Sequence, residues 1–275
     1  MDFFSLLASS FFLFPLLAGL SSAIAAGIMG TYAVTRRIIF IAGSISHAAL
    51  GGIGVALWLK QVHHIEWLSP LKGALAASIF SAFVMGYIQY KYKEREDTVI
   101  AVLWSTGMSL GVVFMAITPG YNVELSNFLF GNILWITKQD LLLMISLDIL
   151  LLVVNFCFFQ KFLAICADDH YAKLHTKHPA AIYFLMLSLI AISVVLLIQI
   201  VGSILVIAML AIPPAIACRF VSRLKTVMVF SVILGSLIVF LGMILSYIAN
   251  WPPGATIALT AACLYTLSFL KKNSF

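Results

Sequence analysis

Long apolar runs, separated only by short polar breaks, constrain this chain more than any other feature. A helix that crosses lipid needs about 20 apolar residues. Such runs fall at roughly 11–35, 38–59, 71–90, 98–118, 140–159, 180–201, 203–218, 226–249 and 254–270. Inside a bilayer each segment must satisfy its own backbone hydrogen bonds, so each run reads as a helix. The expected fold is all-α: a polytopic transmembrane helical bundle of eight or nine helices, forming one domain over residues 1–275. Composition supports this, because 63% of the residues are hydrophobic and 9% are charged, against roughly 25% charged in a soluble domain. The first residues, MDFFSLLASS, hold no Lys or Arg, so the first run is expected to be a retained span and not a cleaved leader.

One run carries its own interruption. Pro213-Pro214 lies within 203–218. Two successive prolines remove two backbone donors and crowd the preceding turn. A broken helix is expected there, and broken helices in membranes border cavities or protein-buried surface. The stretch Tyr121 to Trp135 holds Asn122, Glu124, Asn127 and Asn132, too polar for a lipid-facing span, and is expected to lie at or dip into the outer surface.

Charge placement predicts orientation. With the N-terminus outside, the inner loops hold Arg36, Arg37, Lys91, Lys93, Arg95, Lys161, Lys173, Lys177, Arg219, Arg223, Lys225, Lys271 and Lys272. The outer loops then hold Lys60, Lys72 and Lys138. Cytoplasmic loops concentrate Lys and Arg, and Trp58, Trp67, Trp135 and Trp251 fall at the proposed outer interface, where amphipathic rings prefer to sit. The formal charge of +6 therefore reads as a topology signal. No aromatic-interleaved basic patch speaks for nucleic acid. Cys157, Cys166, Cys218 and Cys263 are scattered singly, with no disulfide or thiolate-metal spacing.

The longest inner loop, 160–179 (QKFLAICADDHYAKLHTKHP), is either a solvated connector or a docking segment for a partner. No GxxxxGK[ST] occurs, so uphill transport needs a separate nucleotide-binding subunit. HExxH and GxSxG are absent, so no enzyme activity is indicated.

The second run holds the pattern richest in chemistry. Gly43, His47, Gly51 and Gly54 share one helix face. Small residues let helices approach closely, which turns His47 into the protein. An imidazole there either bonds a neighbouring helix or serves as a ligand for zinc and similar ions. The first run carries a small-residue stripe, Gly19, Ser22, Ala23, Ala26, Gly27 and Gly30, expected to pack against the second and leave His47 at a narrow passage. Asp148 is mid-span, with Asn155 on the same face. A carboxylate in hydrocarbon must face inward and find a partner or a proton. A place on an ion path is the other reading. His63, His64 and Glu66 in an outer loop are solvated or collect cations.

Three blocks resemble the permeases of bacterial ABC importers for zinc, manganese or iron: IAGSISHAALGGIGVAL around His47, PGYNVELSNFLFGNIL at 119–134, and VGSILVIAMLAIPPAIA at 201–217. The loop CADDHYAKLHTKHPA, with Asp168, Asp169 and His170, is similar to the segment by which such permeases engage their ATPase. The resemblance implies a homodimeric permease in the bacterial inner membrane, two ATPase subunits and a periplasmic or lipoprotein metal-binding protein. It also implies that His47 belongs to the path or gate, with no permanently bound cofactor and the ion as cargo. Many members carry Asp four residues before that histidine, where Gly43 stands here. An imidazole-dominated site leans toward zinc over manganese or iron, with Asp148 or Glu124 as alternative oxygen sources. An ATPase-independent secondary transporter or channel is the competing class, and a structural membrane scaffold the third.

Overall fold

The structure, a computed structural model, describes residues 10–92, 96–119 and 136–269. Among these, every regular element is a helix: α1 (Ser10–Thr35), α2 (Ile39–Val62), α3 (Pro70–Tyr92), α4 (Glu96–Ile117), α5 (Lys138–Ala167), α6 (Asp169–His175), α7 (Pro179–Phe220), α8 (Leu224–Ala249) and α9 (Pro253–Leu267). Seven helices are long and apolar enough to cross a membrane, and the apolar stretches Leu205–Phe220 and Pro253–Leu267 are shorter. The chain is a polytopic helical membrane protein. The polar stretch Tyr121 to Trp135, with Glu124, lies outside the described residues.

The break in the seventh helix is not at the double proline. Helix α7 is two helical stretches, together 42 residues, that meet at a kink where Gly202 has φ 79° and ψ 162°. That conformation is open essentially to glycine alone. A straight helix of this length would run about 63 Å, twice a bilayer core of about 30 Å. Instead the chain reverses. Near its start, Tyr183 bonds Gln89 at the end of α3 and lies under Arg36 at the end of α1. Near its finish, Arg219 bonds Ser268 just past α9 at 3.3 Å. Both ends therefore lie on one face, and α7 makes two passes, Pro179–Ile198 and Leu205–Phe220.

Pro213 and Pro214 instead sit inside a regular second pass. Pro214 leaves the Leu210 carbonyl without its helical donor. Gly30 of α1 packs directly on that carbonyl, and a Cβ at position 30 would land on its oxygen. The missing donor is thus covered by close helix approach rather than by unwinding.

The loop expected over 160–179 is shorter than its sequence implied. Helix α5 continues to Ala167, so the span reads 138–167 rather than 140–159. Its start is fixed by a capping box, in which Thr137 N–H donates to Asp140 Oδ2 at 3.0 Å and Asp140 N–H donates to Thr137 Oγ1 at 3.2 Å. Its end is Asp168, whose extended backbone closes α5 and opens the seven-residue α6. The continuation is amphipathic: Phe162, Ala164 and Ile165 are buried while Lys161 and Ala167 are exposed.

The stripe on α1 finds a different partner from the one expected. It packs against α8 and the second pass of α7, not chiefly against α2. A Cβ at Gly27 would lie 2.7 Å from Val232 of α8, and Gly19 meets Val239. These contacts make α1 and α8 antiparallel. Contacts of Gly52 with Gly73 and Ala77 make α2 and α3 antiparallel as well. One face of the bundle gathers Arg36, Arg37, Lys91, Lys161, Lys173, Lys177, Arg219, Arg223 and Lys225; Lys60, Lys72, Lys138, Trp58, Trp67 and Trp251 lie at the other.

Candidate ion-path site

The site begins with a backbone-to-backbone seam between α2 and α4. A Cβ at Gly51 would lie 2.8 Å from the Gly107 carbonyl oxygen, and one at Gly54 would lie 2.7 Å from that of Gly111. Reciprocally, a Cβ at Gly107 would lie 2.6 Å from Ala48 Cα and 2.9 Å from the His47 carbonyl oxygen. The pairs advance together along both helices, so α2 and α4 run parallel. Such contact is available only where side chains are absent, the means by which membrane helices pack tightly.

The seam brings Trp104, three residues before Gly107, over His47. The two rings stack with centroids 4.4 Å apart and planes 20° apart. Gly43, one turn before His47, faces the same indole, and a Cβ there would be 3.3 Å from Trp104 Cζ3 and 3.5 Å from Ile207 Cδ1. His47 is half-buried, and its Nδ1 is enclosed with no hydrogen-bond partner among the described residues. Ser44 Oγ, Ser46 Oγ and Ser78 Oγ share that condition. Buried polar atoms in native proteins are nearly always bonded. A run of exceptions on one turn of α2 is therefore a feature of the region.

Asp148 is held elsewhere. It is buried and accepts a hydrogen bond from Ser21 of α1. About two to three helical turns further toward the cationic face, Tyr32 donates to Asn155 Oδ1 at 2.5 Å. Both bonds join α1 to α5, a different helix pair from the one that carries His47. Among the described residues, no group of three or more His, Cys, Asp or Glu side chains is placed to hold an ion.

The remaining candidates lie at the two faces. His63 caps α2 and packs edge-on to Trp58, with centroids 4.7 Å apart. Asp168 is exposed at the α5–α6 junction, beside exposed His170. Asp169 opens α6, and its side chain lies outside the described residues. Sequence reasoning missed Trp104, Gly107, Gly111 and Ser21. Two of these were readable: Gly107 and Gly111 form a GxxxG pair, the same small-residue signal that α2 carries.

Comparison with known proteins agrees with this architecture. The chain is 44% identical over 259 residues to a Chlamydia pneumoniae protein described as "Probable metal transport system membrane protein", covering 94% of this chain and 88% of the relative. It is 28% identical over 267 residues to the manganese transport system membrane protein MntC of Halalkalibacterium halodurans, covering 97% and 89% of the two chains. Among solved structures, PsaBC from Streptococcus pneumoniae in complex with Fab superposes with a TM-score of 0.84 at 28% identity, covering 97% of this chain and 94% of that one. The chain is a membrane permease and not an enzyme, and with residues 9–272 matching the family's sequence pattern it belongs to the ABC 3 transport family.

Proposed function

We propose that this permease carries a divalent transition-metal ion across the bacterial inner membrane, with zinc as the ion and His47 as the ligand on its path. The observation that carries the reading is the half-buried His47 ring on a glycine seam, fastened through Nδ1 to none of the described residues. An ionisable side chain within a span is costly and is retained for function. Imidazole suits zinc, and Gly43 offers no carboxylate beside it. Asp148, bonded to Ser21, acts as a fastener between α1 and α5. Two copies of the permease would form the path between them, fed from outside by a metal-binding protein. A separate pair of ATPase subunits would supply the energy. In this reading the exposed Asp168 and His170, with Asp169 and α6, form the docking segment; the concentration of Lys and Arg on that face supports a cytoplasmic position for it and an N-terminus outside.

The test is uptake of radioactive zinc into vesicles carrying the intact importer. His47→Ala is expected to leave a folded, ATPase-bound permease that does not import. Normal import by that variant would refute the role of His47. Charge reversal at Asp168 and Asp169 is expected to lower coupled ATP hydrolysis, and unchanged assembly and turnover would remove the docking role. Manganese is the second reading, favoured by the MntC relatives at 26–28% identity. Competition between the two ions for uptake decides between them.

A further inference from the structure

Trp104 is the contact that defines the plane of the His47 ring. We infer that Trp104 is a positioning residue for the ion, holding the imidazole by its face while leaving Nδ1 unengaged. The inference rests on His47 being the path ligand, and it adds how that ligand is presented. An imidazole binds a metal through a lone pair that lies in the ring plane. A stacked indole covers the ring face and does not compete for that lone pair. Residues that hold a resident metal are usually oriented differently, by a hydrogen bond from the second ring nitrogen, which also strengthens the ligand. Here Nδ1, enclosed and so the second nitrogen rather than the ligating one, is without any such bond among the described residues, and the orienting contact is the ring stack at 4.4 Å and 20°. A ligand fixed in direction but not strengthened suits an ion that must leave again, as conduction requires.

Two glycines shape the arrangement. Gly43 gives the indole room across the turn that ends at His47, where a methyl group would stand 3.3 Å from Trp104 Cζ3 and crowd the ring slightly. Gly107, on the His47 and Ala48 backbone, sets the height of α4 so that Trp104 meets His47 and not the turn above or below. The register of the seam and the direction of the ligand are therefore one property.

The experiment uses the purified full-length permease in lipid nanodiscs, with radioactive zinc and manganese as probes in equilibrium dialysis. His47→Ala first defines the component of binding that depends on this residue. Trp104→Phe, which keeps a ring, is expected to hold the dissociation constant of that component within about twofold of the parent. Trp104→Ala is expected to weaken it about fivefold. Trp104→Leu, which keeps bulk without a ring, is expected to do the same and covers the case in which the alanine variant does not fold. Equal affinity in all variants overturns the inference, as does equal weakening by Phe and Leu. If the parent has no His47-dependent component, the reading of His47 falls first and the role of Trp104 with it.

Discussion

Two parallel helix pairs in this bundle each hold an ionisable residue within a span, Asp148 buried and His47 half-buried, and they treat it in opposite ways. Between α1 and α5, Asp148 is bonded to Ser21 and Asn155 to Tyr32. Between α2 and α4, His47 Nδ1 has no hydrogen-bond partner among the described residues, and neither have the hydroxyls of Ser44 and Ser46 on the same turn. A buried polar group left unbonded costs about 1–3 kcal/mol. The first pair follows the ordinary rule of membrane packing, in which polar side chains fasten helices. The second departs from it where the glycine seam is tightest. On the proposed function, the contrast separates structural polarity from functional polarity within one chain: groups that hold helices together are paired, and the ring proposed to meet a passing ion is left unfastened by hydrogen bonds.

The sharpest way to break this contrast is at His47. His47→Ala is expected to lower vesicle import by at least about tenfold, while the unfolding midpoint in SDS falls only slightly, since the ring stack with Trp104 is lost but no hydrogen bond to a described residue is. A large loss of stability with import intact would place His47 among the fasteners. Next in size is the seam. Gly107→Leu drives a side chain into the Ala48 backbone, and we expect about 3 kcal/mol of destabilisation in SDS titration. A neutral outcome would mean that α2 and α4 are not in contact.

The α1–α5 pair should respond in stability alone. Asp148→Leu is expected to cost about 1 kcal/mol, and to leave His47-dependent ion affinity unchanged. Weakened affinity in that variant would put Asp148 on the path. Tyr32→Phe, which removes only the hydroxyl that bonds Asn155, is expected to cost about 0.6 kcal/mol in the same titration. A null result there with an effect at Asp148 would make Ser21–Asp148 the dominant fastener.

The passes through the membrane were legible in the sequence because lipid imposes a length and a polarity on each one. The broken helix was legible in kind but not in place. Pro213 and Pro214 are the loudest helix breakers in the chain, yet Gly30 packs on the carbonyl that Pro214 leaves free, and the helix survives. Gly202, a single glycine in an apolar run, turns the chain because its φ of 79° is the conformation that a reversal there requires. The α1 stripe announced a seam, but small residues advertise close approach without naming the partner, and α8 with the second pass of α7 took it.

Residue order alone determined that this chain lives in lipid, roughly where it crosses, and that His47 lies on a glycine face. Each of these depends on periodicity and transfer free energy along a single segment. Only the tertiary structure decided that Trp104 covers the His47 ring, that Asp148 is bound to Ser21, and that the reversal occurs at Gly202. Those outcomes depend on which helix faces which at what height, and that is set by packing between segments far apart in the chain.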